Sequence, residues 1–414
     1  MGVKILSLYD GMACGMIAMQ LAGVEVESYD AYEIDKYAIK TAQHNFPMIK
    51  EHGDVFEADF TQYEGVDFLI GGSPCTYWSI AQTKNRETVA SGMGWELFSQ
   101  YVRALHEAKP KYFIYENNKS MSKQIRASID EAFGFEAVLI NSALVSAQNR
   151  QRLYWVGKRN ADGTYSKVNV EQPTDRGILL KDILDSVVAR DLTCNDKSYT
   201  LTASYDGACA WNTIERHQRN MVAEPVCVAE RGRMYCGQPQ HYEARADGKT
   251  NTLTSVEKDN RVAEPVKVGY VGNGGQGNRV YSVNGKAVAQ TAQSGGMGSN
   301  TGLYAIPYEI EFDDDGRPIK AIGKDGKEIT IYEVRDGKIT IKGKQYPIKL
   351  KDGFYIIRKL TVSECKRLQT VPEWYEFPVS NSQAYKMLGN GWTCEVIAHL
   401  IRSCIAEQWG GVDG

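Results

Sequence analysis

An α/β fold carrying a long β-rich insertion is the class that this sequence predicts, and three features predict it. Over the first 158 residues, short apolar runs alternate with helix-period segments, the pattern of a largely parallel sheet with helices on its faces. From Lys158 to about Ile357 the helical periodicity gives way to Thr- and Gly-rich turns and short alternating runs. Helical patterning then returns at Thr361 and continues toward the C-terminus.

The bulk properties fit that class and exclude others. With 414 residues, 43% of them hydrophobic, the chain can build one large domain or two of ordinary size. A net charge of −3 and a pI near 6.2 exclude a uniformly basic nucleic-acid binder, but not a local basic groove. The nine cysteines are odd in number and form no Cys-x-x-Cys pair. No disulfide framework and no metal site is therefore expected, and a reducing compartment is. No signal peptide and no apolar run long enough for a membrane span is seen, and Gly2 lacks the Ser or Thr of a myristoylation signal, so no membrane partner is expected.

Lys4 to Tyr9 reads as the first strand, Asp10 to Gly15 as a turn, and Met16 to Gly23 as an apolar helix ending on glycine. Strand, glycine turn and helix open nucleotide-binding α/β units, in which backbone N–H groups face the ligand. The spacing is not Gly-x-Gly-x-x-Gly, so a plain strand-to-helix turn explains it as well. Val26 to Ala31 is a second strand, closed by Tyr32-Glu33-Ile34-Asp35. An acid about 20 residues past a glycine turn can bind ribose hydroxyls. Glu33 is better placed for that than Asp35, which also reads as an acid at the start of the helix Lys36 to Asn45. His52-Gly53-Asp54 ends a third strand, and Asp54 is either a contact for a nucleoside base or an ordinary turn residue.

Val66-Asp-Phe-Leu-Ile-Gly-Gly-Ser-Pro-Cys75 is a short buried-strand pattern running into glycine, proline and a thiol. Ligands in open α/β sheets sit beyond the carboxyl ends of the strands, which is where Cys75 falls. Pro74 fixes the backbone before it. A buried small hydrophobe in a turn is the competing interpretation. Thr76 to Gly94 is too long for an ordinary connection and suits a lid. After a helix from Trp95 to Ala108, the strand Lys111 to Tyr115 ends in Glu116-Asn117-Asn118, a carboxylate one strand along from the thiol. Ile125 to Phe133 is a helix and Phe135 to Leu144 a strand. Arg150 and Arg152 then stand at i, i+2 before or within the strand Leu153 to Gly157, sharing a face that suits a carboxylate, a phosphate or a base edge, or merely solvent.

In the β-rich region, Lys197 to Thr202 recurs as Lys249 to Thr254, and Val222 to Val226 as Val262 to Val266, a degenerate duplicated unit. Asp-Gly pairs at 315, 325, 336 and 352 signal hairpins. Thr361-Val-Ser-Glu364 is a capping box. Met387-Leu-Gly-Asn-Gly-Trp392 leads into an apolar helix from Val396 to Ile405.

Taken together, these motifs resemble the cytosine-C5 DNA methyltransferases, in that family's order. Tyr9-Asp-Gly-Met-Ala-Cys-Gly15 is similar to the cofactor turn, Gly72-Ser-Pro-Cys75 to the nucleophile motif and Glu116-Asn117 to the Glu-Asn motif. Gln148-Asn-Arg-Gln-Arg152 is similar to the Gln-x-Arg-x-Arg motif. Arg358-Lys-Leu-Thr361 with Glu364, Arg367, Leu368 and Gln369 resembles the motif after the recognition domain, and Gly389-Asn390 with Val396 the last one. The first turn and Gly-Gly-Ser-Pro-Cys are worded most like the animal de novo branch. Asn118 departs from the family's usual Glu-Asn-Val.

The resemblance implies a Rossmann-like methyltransferase domain, 1–158 plus 380–414, binding S-adenosylmethionine. It implies a mostly-β target-recognition domain at 159–379, with a hairpin insert at about 306–357, placed before the C-terminal helix. It implies attack of Cys75 on C6 of a cytosine flipped out of double-stranded DNA. Glu116 then engages N3 of the ring, Arg150 and Arg152 steady the base and its partners, and Asn117 and Pro74 shape the nucleophile loop. The same resemblance puts Tyr9, Asp10, Gly11, Gly15, Glu33, Ile34, Asp54 and Asn390 around the cofactor. Ser79 becomes a phosphate contact, and Arg231, Arg233, Gln238, Gln240 and Arg279 become DNA contacts, since Arg and Gln read base edges bidentately. An RNA cytosine methyltransferase and a catalytically silent DNA-binding relative are the alternatives. The resemblance leaves open a separately encoded restriction endonuclease as partner; a monomer in the cytoplasm of a bacterial or phage-infected cell is expected.

Overall fold

The computed structural model describes residues 2–79, 86–185 and 360–409 and, between residues 227 and 358, a set of strands and turns. The first part alternates strands and helices: β1 (Val3–Leu8), α1 (Cys14–Ala22), β2 (Val26–Tyr32), α2 (Lys36–Asn45), β3 (Lys50–Glu51) and β4 (Phe68–Gly71). It continues with α3 (Met93–Ala108), β5 (Tyr112–Asn118), α4 (Lys123–Phe133), β6 (Val138–Asn141), the two-residue β7 (Gln148–Asn149), β8 (Gln151–Arg159) and β9 (Tyr165–Lys167). All but β7 form one sheet in the order β3-β2-β1-β4-β5-β8-β6, with β9 also on β8. The first five are parallel, and β8 runs antiparallel to both β5 and β6. The α/β class expected from the sequence is thus the observed one.

Side chains alternate across this sheet with period two, as strand geometry requires. Ile5, Phe68, Ile70, Tyr112 and Ile114 join the core on one face, together with Met16 and Ile17 of α1. Leu6, Leu8, Leu69, Phe113 and Tyr115 join the core on the other, with Phe98, Tyr101 and Leu105 of α3 and Ile129 and Phe133 of α4. Each large apolar side chain so buried contributes roughly 1.5–3 kcal/mol. The strand order reverses between β1 and β4, so the turns that follow these two strands separate and leave a crevice at their carboxyl ends.

Three local differences from the sequence expectations have physical causes. The strand carrying Glu116 runs on through Asn118 because β8 pairs with it to the end, Asn118 opposite Arg152. The strand expected at 135–144 is limited to β6, because the Asn141 carboxamide accepts from Ala143 N at 3.1 Å and Arg150 N at 3.0 Å and turns the chain. Residues 381–390 form a helix that the sequence did not reveal.

The β-rich part contains the antiparallel pair β10 (Cys227–Arg231) and β11 (His241–Arg245). It also contains a seven-stranded sheet of β12 (Lys267–Tyr270), β13 (Arg279–Ser282), β15 (Leu303–Pro307), β16 (Ile331–Arg335), β17 (Lys338–Ile341), β18 (Lys344–Pro347) and β19 (Gly353–Arg358), in the order β12-β13-β15-β19-β16-β17-β18. A bridge from Gly269 to Ile348 joins the two edges, so the sheet curls back on itself around Val280, Val334, Ile339 and Tyr355. Within the stretch at about 306–357 expected as a hairpin insert, the described strands β16, β17, β18 and β19 all belong to this sheet. Asp336 (φ 52°) and Gly337 (φ 65°) make the expected two-residue turn, both central residues left-handed. Asp352-Gly353 does not make a hairpin: it links β18 to β19, which are not neighbours. The duplicated unit and the other two Asp-Gly pairs lie outside the described residues.

This part is fastened to the first part of the chain by β14 (Ala287–Val288), which pairs in parallel with β7 just before β8. Lys286 beside it is buried, and its Nζ donates to the carbonyls of Ala143 (2.9 Å), Ser146 (3.1 Å) and Ile178. Burial pulls its pKa down, and the three carbonyls are the compensating partners.

The chain closes with α5 (Val362–Leu368), α6 (Asn381–Asn390) and α7 (Cys394–Trp409). The expected capping box starts α5: Glu364 N donates to Thr361 Oγ1 at 3.2 Å and Thr361 N to Glu364 Oε2 at 2.7 Å. Ile397 and Ile401 of α7 pack in the core of α1, and so do Val168, Leu180, Ile183, Leu368, Val371 and Tyr375. Tyr375 OH donates to the carbonyl of Met12 at 2.6 Å. The core of the first sheet therefore takes in residues on both flanks of the 159–379 segment that the sequence assigned to target recognition.

Candidate active site

A cavity of about 550 Å³ opens at the strand-order reversal. Tyr9, Asp10, Gly11, Glu33, Ile34, Asp54, Pro74, Cys75, Glu116, Arg150, Arg152 and Asn390 all line it, twelve residues singled out from the sequence. Gly15, Asn117 and Ser79 do not.

The turn after β1 is tight. Tyr9 (φ 59°) and Ala13 (φ 60°) are non-glycine residues in the left-handed region, with Gly11 (φ 63°) between them. Gly11 N donates to Glu33 Oε2 at 2.9 Å, while Ile34 N and Asp35 N donate to Oε1 at 2.8 Å each. Glu33 thereby ties the first turn to the end of β2. Asp35 caps α2 instead, accepting from Tyr37 N at 2.9 Å, and Lys386 Nζ of α6 stands 2.7 Å from its Oδ2. Asp54 accepts from Phe56 N at 3.0 Å and so holds its own turn on the cavity wall.

Among the carboxyls of the lining, Asp10 is the one pushed upward. Ser7 Oγ and Tyr29 OH both donate to its Oδ1 at 2.5 Å, whereas its buried Oδ2 meets no hydrogen-bond partner among the described residues. Burial pushes its pKa up to about 6, with the charge of Glu33 adding to the rise. Glu51 behind it has neither carboxylate oxygen paired among the described residues, and burial, Asp10 and Glu33 push its pKa up to about 8. This end of the cavity gathers buried carboxyl oxygens that no described donor satisfies.

At the other end, Cys75 is exposed and begins a short 3-10 turn, Cys75–Tyr77, with Pro74 (φ −49°) as the residue before it. Its carbonyl accepts from Trp78 N at 3.1 Å and Ser79 N at 3.0 Å. Gly72 lies against β5 so closely that a Cβ there would stand 2.8 Å from the Glu116 carbonyl oxygen, so only glycine permits this approach. Behind the loop, the buried Asn117 amide donates to the Ser73 carbonyl at 3.2 Å and to Tyr115 OH at 3.2 Å, and Ser73 Oγ lies 2.6 Å from Tyr115 OH.

Glu116 is held by two donors from distant parts of the chain. Arg152 Nε stands 3.1 Å from its Oε1, and Trp392 Nε1 donates to its Oε2 at 2.9 Å. Arg150 faces the same cavity but reaches elsewhere. Its guanidinium is buried and donates to the Gly389 carbonyl at 3.2 and 3.3 Å and to the Gly391 carbonyl at 2.9 Å. Burial, and then the charge of Arg152, lower its pKa to about 10. Gln148, the first residue of the same motif, is buried with its carboxamide unpaired among the described residues.

The sequence did not single out Trp392, Ser73, Tyr115 or Lys386, which hold the site in place. Their signal is tertiary: no local pattern reveals that a residue 276 positions from Glu116 donates to it. Of the residues expected at DNA, Ser79 lies just past the 3-10 turn and Arg279 is exposed on β13. Arg231 ends β10, and nothing is described of its side chain; Arg233, Gln238 and Gln240 lie outside the described residues. Gly15 belongs to α1, where a Cβ would stand 2.3 Å from Ile70 Cδ1, and it packs the helix to the sheet away from the cavity.

Comparison with known proteins agrees across the chain. The family model for C-5 cytosine-specific DNA methylases matches residues 3–406. The orphan methyltransferase M.SPRI of Bacillus phage SPR is 26% identical, with 97% of each chain covered. The type II methyltransferase M.HhaI of Haemophilus parahaemolyticus is 23% identical over 96% of this chain and 93% of that one. Among solved structures, S. pombe Dnmt2 superposes with a TM-score of 0.52 at 13% identity, covering 98% of this chain and 99% of that one, which speaks for the fold.

Proposed function

The chain belongs to the C-5 cytosine-specific DNA methylase family, and from that premise we propose that it transfers a methyl group from S-adenosylmethionine to C5 of a cytosine flipped out of duplex DNA, through a covalent Cys75–C6 intermediate. The observation that carries this reading is one cavity lined by an exposed thiol, the Glu116–Arg152 pair and, at its other end, the carboxyl of Asp10 with an oxygen unpaired among the described residues.

The acidic end fits the cofactor. S-adenosylmethionine carries a sulfonium cation and an ammonium group, and the unpaired Asp10 Oδ2 offers a buried acceptor for positive charge. Glu33 suits the ribose hydroxyls. Asp54 suits an exocyclic amine, and the exposed Ile34 and Phe56 at the rim offer apolar surface to a flat ring. Asn390 and the backbone of Gly389 and Gly391 would complete the enclosure. When bound, the cofactor supplies an electrophilic methyl group.

The chain's own residues do the rest. C5 of cytosine is a weak nucleophile, and addition of the Cys75 thiolate at C6 makes it an enamine carbon. Glu116 holds N3 of the ring and gives it a proton as the thiolate adds, so that no negative charge is left there, and Arg152 orients the carboxyl group for that task. Asn117, through the Ser73 carbonyl, holds the loop that carries Pro74 and Cys75. Arg150 acts at one remove, holding the 389–391 backbone. Methylated C5 then loses its proton and the thiolate leaves. A stacked base hides C6, so the cytosine must leave the duplex.

Ser79 and Arg279 are proposed to meet DNA. No helix among the described residues is long and apolar enough to cross a membrane, and action as a monomer in the cytoplasm of a bacterial or phage-infected cell is part of the proposal. A separately encoded restriction endonuclease is an optional partner. Bisulfite sequencing of DNA from cells expressing the protein tests the reading. Methylated cytosines in one sequence context, absent with Cys75→Ala, are expected; unmodified DNA alongside methylated RNA would overturn it.

A further inference from the structure

We propose that Trp392 is a positioning residue for Glu116, fixing the carboxylate from the C-terminal side as Arg152 fixes it from the sheet. The proposal rests on the reaction proposed above, because it gives Glu116 its task there.

Indole has one polar function, the Nε1–H donor. In a half-buried Trp that donor needs an acceptor, and here the acceptor is Glu116 Oε2 at 2.9 Å. Since Arg152 Nε already stands 3.1 Å from Oε1, each carboxylate oxygen has its own donor and the group is confined to one orientation. Each oxygen keeps a lone pair for a base. A charge-assisted bond of this kind is the stronger class.

The indole can serve as a fixed reference only if its backbone is fixed, and it is. On one side, the Gly391 carbonyl accepts from Arg150 Nη2 at 2.9 Å, and Gly391 N donates to the Met387 carbonyl at 2.7 Å. On the other, Thr393 Oγ1 donates to Gln369 Oε1 at 2.9 Å and lies 2.8 Å from Ser142 Oγ. Gln369 Nε2 in turn donates to the Leu388 carbonyl at 2.6 Å. Four buried polar side chains, Arg150, Gln369, Thr393 and Ser142, thus converge on the segment that aims the indole. Trp392 lies beside Asn390 in the cavity lining, so the acceptor end for the base and the cofactor end share one rigid segment.

Two measurements on the full chain test this. The first is single-turnover methyl transfer to duplex DNA in the parent, Trp392→Phe, Glu116→Ala and the double variant, with S-adenosylmethionine affinity measured alongside. Trp392→Phe keeps an aromatic ring, somewhat smaller, and loses the donor. It should slow transfer about tenfold, leave cofactor affinity within about twofold, and have no further effect once Glu116 is Ala. The second is the indole ¹H–¹⁵N resonance, assigned by its loss in Trp392→Phe, which should move upfield in Glu116→Ala. Equal slowing by Trp392→Phe in both backgrounds, unchanged transfer, or a resonance indifferent to Glu116→Ala overturns the role. A parent chain that transfers no methyl to cytosine overturns the underlying reaction instead.

Discussion

Arg152 and Glu116 meet diagonally across the β5–β8 ladder. Arg152 is registered opposite Asn118 and Glu116 opposite Tyr154, so the two charged side chains share one face two positions apart and close to 3.1 Å. Such diagonals lie roughly 7–8 Å apart at the backbone and are bridged only by long side chains. Removing the guanidinium leaves a mostly buried carboxylate without that partner. Arg152→Ala should lower methyl transfer by about 100-fold. Arg152→Lys should recover only part of it, since an ammonium cannot reproduce the planar donor. Single-turnover rates measure both.

Arg150 should behave differently, because its partners are carbonyls rather than a carboxylate. Arg150→Ala leaves the Gly389 and Gly391 carbonyls buried without a charged donor and should cost about 3 kcal/mol of folding stability. Cofactor affinity should fall with it. Urea unfolding with and without S-adenosylmethionine is the check.

Asp10 links pH to stability and to ligand binding. Its pKa in the fold, about 6, lies above the ordinary carboxylate value, and that of Glu51, about 8, does too. The folded chain therefore binds protons more tightly than the unfolded one. The stability these carboxyls contribute is complete below about pH 4 and is lost as pH rises through about 6 and 8. Asp10→Asn should raise the stability of the ligand-free chain at pH 8 by about 2 kcal/mol. It should also abolish a rise in cofactor affinity between pH 5 and 7, because it removes the anion that receives the positive charge. Thermal unfolding and calorimetric titration across that range decide.

Asn118, where the family usually has valine, is satisfied where it stands. Its Nδ2 donates to Asn117 Oδ1 at 3.2 Å and its Oδ1 accepts from Ser120 Oγ at 2.7 Å, and it does not line the cavity. Asn118→Val should therefore change stability by about 1 kcal/mol at most and leave methyl transfer within about threefold. A loss like that of Arg152→Ala would mean that the position acts in the chemistry.

Much of this was legible in the chain itself, for a physical reason. The turn after β1, the loop at Cys75 and the capping box at Thr361 are local devices, written in a few adjacent residues, and each is found where the sequence puts it. What stayed hidden depends on distance. The helix Asn381–Asn390 has no side-chain cap hydrogen bond and ends in Gly-Asn-Gly, a poor helix signal that packing overrides. Lys286 is another case: the carbonyls that bury it, those of Ala143, Ser146 and Ile178, lie more than 100 positions earlier in the chain. The resemblance puts Asn117 at the nucleophile loop, but its partners are set by the fold: Ser73 lies in the loop after β4 and Tyr115 within β5.

The central claim is that the Cys75 thiol attacks C6 of cytosine, and a duplex containing 5-fluorocytosine at the methylated position tests it most directly. Fluorine at C5 cannot leave as a proton does, so the covalent intermediate accumulates. The account predicts a denaturation-resistant protein–DNA adduct that forms with S-adenosylmethionine present and is absent in Cys75→Ser. A protein that methylates the unmodified duplex yet forms no adduct, or a Cys75→Ser variant that forms as much as the parent, would contradict it.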